Sequence, residues 1–288
     1  MQPYVADGRA RVVREIRAAA PLMTAVVAPP TARGPWLTAA LNAQCARAVP
    51  PLRVRAVVVA PEVGARPDGL ALLTVHRRGP TAVVGLLGSG PGAPPLPAGR
   101  PPARLLARDP EVAEELAGGV LDLLDSVRGA WTLRLAGLPL GDPVVRRLAA
   151  ALPDAQLATG RSRRLVDELD TVAEVRRSRD PGELERWLPA LAERLGPREF
   201  VPVRAAARLH AAIGRLELAV VPAGAGAAAV LLTLLTTGPA GEERWPWWGV
   251  SDVGGLRREL GSPSVSLTAS RGLVNLTRRG VSRGTAPR

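Results

Sequence analysis

WTLRLAGLPLGDPVVRRLAAALP, the stretch from Trp131 to Pro153, contains a strand, a tight turn and a capped helix in direct succession. Its first residues alternate between apolar and polar, which is the period-two pattern of a strand with one buried face. Asp142 is a good helix N-cap, and Pro143 occupies the first helical position, where its missing N–H costs nothing. We predict that this unit closes the first half of the chain, with a domain boundary just beyond Pro153.

The elements upstream of this stretch predict an α/β domain. A helix is predicted to begin at Gly34, and another follows the pair Asp109–Pro110, which places an N-cap ahead of a proline. Between them lie three short runs rich in valine and leucine and bounded by Pro, Gly or Asp, as strands of a sheet are. These runs are 54–60, 70–75 and 82–87.

The second half of the chain predicts further helices and strands. Asp180–Pro181 starts a helix, residues 204–213 continue as a helical segment, and residues 216–221 form a strand. The span 218–241 carries no charge, which raises the question of a transmembrane helix. Proline and glycine interrupt that span early, so we predict two paired strands and no membrane association.

Composition gives the charge and excludes several site types. The 288 residues carry a formal net charge of +12, and all 38 basic residues are arginine. This balance suits phosphate contacts, and the absence of lysine also fits the codon bias of a GC-rich genome. A single cysteine, Cys45, excludes an internal disulfide and a cysteine-based zinc site, and the two histidines, His76 and His210, lie far apart. We therefore expect no metal.

The domain layout follows from these patterns. Residues 1–33 are expected to form a disordered leader, because prolines interrupt the apolar run that otherwise resembles a signal peptide. Residues 34–157 and 158–265 form two domains, and residues 266–288 form a basic, flexible tail. A cytoplasmic location is expected, with export as the alternative.

No catalytic motif is present in the sequence. The run from Gly88 through Gly90 to Gly92 follows a strand, but prolines follow it where a phosphate cradle needs a helix N-terminus. An enzyme of this composition must therefore use chemistry that needs few charged side chains. Acyl transfer from a thioester to an amine fits, because the donor is already activated and the protein supplies mainly orientation and one base.

The order of elements resembles a known family over residues 34–173. A GPWLTA helix, strands ending in Leu86-Leu87-Gly88, a loop, an Asp–Pro helix, the Trp131 strand and a second Asp–Pro helix look like the first half of the GNAT-like proteins related to Fem peptidyltransferases and CelD-type acetyltransferases. The resemblance implies an α/β (α+β) fold of two GNAT-like domains, with mixed, mostly antiparallel sheets flanked by helices and a short second domain.

The resemblance also implies an acetyl-CoA loop of the pattern [R/Q]-x-x-G-x-[G/A]. Gly88 and Gly90 match its glycines, whereas Gly85 stands where Arg or Gln is expected. An inactive or regulatory descendant of the family is therefore an alternative.

The candidate site residues lie downstream of the opening stretch. His210 is the candidate general base, and Asp252 is the candidate orienting residue or acid. Three tryptophans are predicted to form the wall of an acceptor pocket, and four arginines are predicted to meet a CoA pyrophosphate or a tRNA backbone. The tryptophans are Trp245, Trp247 and Trp248, and the arginines are Arg161, Arg163, Arg164 and Arg208.

These residues lead to three functional hypotheses. The first is an N-acyltransferase, active or degenerate, that moves an acyl group from acetyl-CoA, another acyl-CoA or an aminoacyl-tRNA to a small-molecule or peptide amine. The second is a non-catalytic interaction module that uses the tryptophans and the basic tail to contact a protein partner. A homodimer is a separate candidate assembly under any of the three hypotheses. The third is an RNA- or tRNA-binding protein. A CoA-sized cleft beside His210 and Asp252 would favour the first.

Overall fold

The computed structural model describes residues 2–46, 52–89, 103–224, 226–238 and 241–272, except for the side chain of Arg198. Within them lie two β-sheets flanked by helices, which confirms the predicted α+β class. The strands are β1 (Gln2–Asp7), β2 (Arg53–Ala60), β3 (Gly69–Arg78), β4 (Thr81–Leu86), β5 (Leu106–Ala107), β6 (Ala130–Pro139), β7 (Gln156–Asp167), β8 (Arg176–Ser178), β9 (Leu216–Ala223), β10 (Gly226–Gly238), β11 (Gly241–Ser251) and β12 (Leu256–Arg271). The helices are α1 (Arg9–Ala18), α2 (Ala20–Ala25), α3 (Gly34–Cys45), α4 (Pro110–Ser126), α5 (Pro143–Ala151), α6 (Pro181–Arg194) and α7 (Pro197–Ala212).

The first sheet has the strand order β1-β2-β3-β4-β6-β12-β7, with β5 paired to β3. Every described pairing in it is antiparallel except that of β4 with β6. A parallel pair needs a crossover, and α4 supplies it. Helices α4 and α5 pack on one face of this sheet, and α1, α2 and α3 pack on the other.

The predicted domain boundary is wrong, because the chain returns to the first sheet. Strand β12 lies between β6 and β7 and pairs with both. Leu267 is fully buried and stands opposite Leu135, so β12 supplies core side chains as well as backbone hydrogen bonds. Residues 156–167, which span the predicted boundary between residues 157 and 158, are a strand of this same sheet.

The prediction also places the start of the flexible tail, residue 266, too far upstream. Residues 266–271 belong to β12 and pair with β6, and residues 273–288 lie outside the described residues. The alternating burial of Val265, Leu267 and Ala269 is the pattern of a strand with one face on the core. A buried apolar face therefore orders this segment despite its Ser- and Thr-rich sequence.

The expectation of a disordered leader is wrong as well. Strand β1 pairs with β2 along its whole length, and Val12 and Ile16, one turn apart on α1, are both buried. The prolines that interrupt the apolar run of this segment stand at element starts, Pro21 in the first turn of α2 and Pro30 in a short 3-10 helix. Proline is tolerated there, because the first N–H groups of a helix have no intrahelical partner.

The second sheet repeats the first part of the first sheet. Its strand order is β11-β10-β9-β8. Helices α6 and α7 lie between β8 and β9 in the chain, just as α1 to α3 lie between β1 and β2. The repeat ends after its fourth strand, since β11 leads directly into β12 and not into a crossover helix. The chain thus forms a first unit, the first sheet with helices α1 to α5, and a second unit, the second sheet with α6 and α7. The second unit is short, as predicted, and the uncharged span forms the predicted pair of strands, β9 and β10.

Side chains of both units pack together in two hydrophobic clusters, one on each face of the second sheet. Trp36 and Ala39 on α3 of the first unit pack among the side chains of α6, α7 and the second sheet. On the opposite face of that sheet, Leu165 and Leu169 pack against Leu231 and its neighbours. In the part of the chain that the structure describes, no helix is both long and apolar enough to cross a membrane.

Charged side chains also join the two units. Buried Glu217 on β9 accepts hydrogen bonds from Arg177 on β8 and Arg244 on β11, at 3.2 and 3.1 Å. Arg177 is also paired with Asp167 on β7, at 2.9 Å, and with Asp170. The hydrogen bond from Arg177 lowers the pKa of Asp170. This network therefore links the end of the first sheet to three strands of the second.

We expect Glu217→Ala to lower the free energy of unfolding by about 1–3 kcal/mol, because two guanidinium groups then lose the acceptor that they share. The matched control is Glu185→Ala, which removes an exposed partner of Arg208 and is expected to lower the free energy of unfolding clearly less, because solvent screens that ion pair. Urea denaturation of both variants measures the difference. Equal losses would contradict a structural role for the network.

Candidate functional site

A cavity of about 330 Å³ lies between the two units. The first unit contributes α2, the following turn and the start of α3, and the second contributes the end of α7 and one end of β10. Its wall combines apolar side chains with one histidine, two arginines and three threonines. The lining residues are Ala20, Met23, Thr24, Pro30, Arg33, Gly34, Pro35, His210, Arg215, Leu234, Leu235, Thr236 and Thr237.

His210 is the titratable group of this wall with the clearest chemistry. It lies in the last turn of α7 and is only 4% exposed. Its Nδ1 lies 2.8 Å from the carbonyl oxygen of Ala206, so Nδ1 carries the proton and donates it. Burial lowers the pKa of His210, although the hydrogen bond to Ala206 partly offsets this. At neutral pH the ring is therefore neutral, with Nε2 as its basic nitrogen.

The ring of Trp36 packs beside His210 and joins it to a tryptophan cluster. The ring of Trp36 lies 6.2 Å from that of His210 and makes edge contacts with Trp245 and Trp247, at 6.1 and 5.3 Å between centroids. Trp247 and Trp248 are consecutive in the sequence, yet each is only 2% exposed. A register shift in the pairing of β10 with β11 at this point allows both side chains to be buried. They fill the core, so their predicted role as pocket walls is wrong.

Trp245 is half-buried and faces a different cavity. That cavity, of about 480 Å³, also contains Arg177, Arg244 and Asp167 of the network described above. Its charged lining residues are largely engaged with one another in ion pairs. Trp245 and His210 therefore meet different cavities, although both rings contact Trp36.

Asp252 does not belong with His210. Its amide donates to Ala228 at one end of β10, whereas Arg215, which follows α7, bonds to Leu235 near the other end. The strand between these two positions spans about 23 Å. Asp252 is ion-paired with Arg194, whose hydrogen bonds lower the pKa of that carboxyl group. The predicted pairing of base and orienting carboxylate is wrong.

The four predicted anion-binding arginines do not converge. Arg208 makes a two-pronged ion pair with Glu185, and Arg164 makes one with Glu259. Arg161 donates to the carbonyl of Gly261 on the adjacent strand, and Arg163 is exposed on β7. These side chains stabilise the surface locally, and none of them lines the cavity of His210.

The predicted acetyl-CoA loop is only partly described. Gly88 has φ +85°, and its amide donates to the side chain of Gln44, whereas Gly90 lies outside the described residues. The next long helix, α4, is capped at its N-terminus by Asp109, whose carboxylate accepts from the amide of Val112 at 2.9 Å. That hydrogen bond lowers the pKa of Asp109. A carboxylate on the N-terminus of α4 disfavours an anion there.

The cavity contains cationic groups that the sequence patterns do not reveal. Arg33 donates to the carbonyls of Ala28 and Thr237, at 2.7 and 2.9 Å, and so spans the two units. Arg215 is exposed at the same cavity, where α3 begins at Gly34 without a side-chain cap. The Gly–Pro pair at the start of α3 does indicate the helix start in the sequence. Arg33, however, falls in the segment predicted to be a disordered leader, so it was not recognised as a cavity residue.

The arrangement suits an anionic or polar ligand beside a neutral base. Two guanidinium groups and an uncapped helix N-terminus favour negative charge, and Nε2 of His210 accepts a proton. Among the residues that the structure describes, no cluster of three His, Cys, Asp or Glu side chains could hold a metal ion.

The two histidines predict a pH dependence of stability. Burial lowers the pKa of His76, with contributions from Arg134 and Arg78, and burial also lowers the pKa of His210, both from the ordinary value of 6.5. Below about pH 6.5 the unfolded chain takes up protons that the folded chain does not. The free energy of unfolding should therefore fall as the pH drops below about 6.5, by at most about 2.7 kcal/mol per pH unit for two groups.

Urea denaturation between about pH 7.5 and 5.5, in steps of about half a unit, measures this slope. The variant His76→Gln/His210→Asn should abolish the fall in stability over that range, because the carboxylates with lowered pKa values titrate at more acidic pH. Burial raises the pKa of Asp142, and a carboxyl group of raised pKa makes the free energy of unfolding rise, not fall, as the pH drops.

Comparison with known proteins gives structural likeness only. No protein-family model and no curated protein matches the chain. A tandem GNAT protein from the clavulanic acid biosynthesis pathway is similar at 16% identity over 93% of this chain and 98% of that one, with a TM-score of 0.39. A conserved protein of unknown function from Bacteroides thetaiotaomicron has 8% identity over 82% and 90%, and a TM-score of 0.45. A probable N-acyltransferase from Enterococcus faecalis has 10% identity over 93% and 72%, and a TM-score of 0.30. At these sequence identities and TM-scores, the similarity to solved structures assigns no activity to the chain.

Proposed function

We propose that this chain is an N-acyltransferase that uses the cavity between its two units, with His210 as general base. One observation carries the proposal. His210 is buried in the cavity wall with Nδ1 engaged by the Ala206 carbonyl, which makes Nε2 the nitrogen that can accept a proton. A base of lowered pKa in the wall of a cavity suits the deprotonation of an amine as it attacks.

The proposed reaction joins an amine to an acyl thioester. The amine nitrogen forms a bond to the carbonyl carbon, its N–H proton passes to Nε2 of His210, and the carbon–sulfur bond breaks. The proton then passes to the departing thiolate, so that an amide and a thiol leave and the imidazole is restored. Fixed geometry lowers the barrier, because the reactants are brought together before reaction.

The donor is proposed to be acetyl-CoA or another acyl-CoA. Arg33 and Arg215 would meet its anionic part, since guanidinium groups bind phosphate oxygens strongly. The acceptor is an amine on a small molecule or peptide. An aminoacyl-tRNA ester is the alternative donor, in which a carbon–oxygen bond breaks in place of the carbon–sulfur bond.

A thiol-release assay tests this proposal. The full chain is incubated with acetyl-CoA and a panel of amines, and free CoA is followed with a thiol reagent against a blank that corrects for Cys45. Amine-dependent release of CoA is expected. No amine-dependent release, together with no binding of acetyl-CoA in calorimetry and no transfer from aminoacyl-tRNA, would refute the enzymatic proposal.

The burial of Trp247 and Trp248 also bears on the interaction-module hypothesis. An exposed apolar patch around these two residues would favour that hypothesis. Both are 2% exposed, so neither offers a surface to a partner. The acyltransferase proposal therefore takes precedence over it.

A further inference from the structure

A second cavity, of about 570 Å³, lies on the first unit at the C-terminal end of α4. It is bounded by β2, β3, β4 and the residues that follow α4. Four arginines line it, and no Asp or Glu does. The lining residues are Arg53, Arg55, Val75, His76, Arg77, Ala82, Ser126, Val127 and Arg128.

Hydrogen bonds to the backbone account for only part of this charge. Arg77 donates to the carbonyl of Arg128, two residues beyond the end of α4, at 3.3 Å. Arg55 lies 3.5 Å from Asp7, an exposed carboxylate outside the cavity wall. Arg53 and Arg128 have no acidic partner within about 4 Å among the residues that the structure describes.

One donor in this wall is buried and unsatisfied. The Nε atom of Arg55 has no hydrogen-bond acceptor among the described residues, although most of its side chain is buried. A buried donor without a partner is costly, and four like charges around one cavity repel one another. A bound anion would remove the repulsion among these four arginines.

We propose that this cavity binds a phosphate-bearing ligand. Arginine forks match phosphate oxygens, and the cavity is large enough for a nucleotide or for two consecutive phosphates of a nucleic acid strand. The site lies on the α4 side of the first sheet, whereas the His210 cavity lies on the opposite side, between the units. It therefore does not depend on the acyltransferase proposal.

Binding assays on the full chain test this site. A fluorescein-labelled single-stranded RNA oligonucleotide is titrated by anisotropy, and inorganic phosphate and ADP are titrated by calorimetry. The double variant Arg53→Ala/Arg128→Ala should weaken binding by at least about tenfold. For RNA, the plot of log affinity against log salt should become shallower by about 1.4, the effect of two lost phosphate contacts.

The matched control is Arg161→Ala/Arg163→Ala, which removes the same charge from the exposed strand β7. It should change the affinity less than about twofold. Binding of ADP or phosphate without RNA assigns the cavity to a free phosphate compound, and binding of RNA assigns it to a strand backbone. No binding of any probe, or equal losses in the two double variants, would overturn the proposal.

Discussion

Replacing His210 with asparagine is expected to lower the rate of acyl transfer by about 10²–10⁴-fold without unfolding the protein. The amide nitrogen of asparagine reaches the place of Nδ1 and can still donate to the carbonyl of Ala206. It offers no basic nitrogen in the place of Nε2. Steady-state kinetics with acetyl-CoA and the preferred amine should show the loss mainly in kcat, and thermal melting should show a folded variant.

Two further measurements separate a base from a structural residue. Asp252→Asn is the control, because Asp252 lies at the far end of the second sheet, and its rate should change less than about twofold. In the wild-type protein, kcat should fall only below pH 6.5, since burial lowers the pKa of His210 from that value. Full activity in His210→Asn, or equal losses in both variants, would mean that His210 is not the base.

Local features of the fold could be predicted from the sequence because their causes are local. The carboxylates of Asp109, Asp142 and Asp180 each accept an amide hydrogen bond from within three residues. An N-cap followed by proline therefore marks the helix start wherever the rest of the chain lies. The apolar runs of β2, β3 and β4 were recognisable for the same reason, since each is long enough to show its own burial.

The order of the strands could not be predicted, because it depends on distant contacts. Leu267 stands opposite Leu135, which is more than a hundred residues away in the sequence. Nothing in the sequence around β12 indicates which strand β12 pairs with. The same limit explains the errors at the site. His210 and Asp252 are moderately close in sequence but lie at opposite ends of β10, whereas Arg33, far upstream, lines the cavity of His210.

Trp36 gives the clearest test of how the two units hold together. It belongs to α3 of the first unit, is 3% exposed and packs edge-on against Trp247 in the core of the second. We expect Trp36→Ala to lower the free energy of unfolding by about 3–5 kcal/mol, because a large buried ring is lost and its space cannot be refilled. Urea denaturation followed by circular dichroism measures the loss.

The variant should also change the shape of the unfolding transition and the activity. Without Trp36 the first unit loses a large anchor in the second core, so the single transition should broaden or split into two. Acyl transfer should fall as well, since the ring of His210 loses its neighbour. Trp187→Ala is the matched control, because Trp187 is only partly buried at the edge of the same core. A loss of stability in Trp36→Ala no larger than that in Trp187→Ala would show that the ring does not join the units.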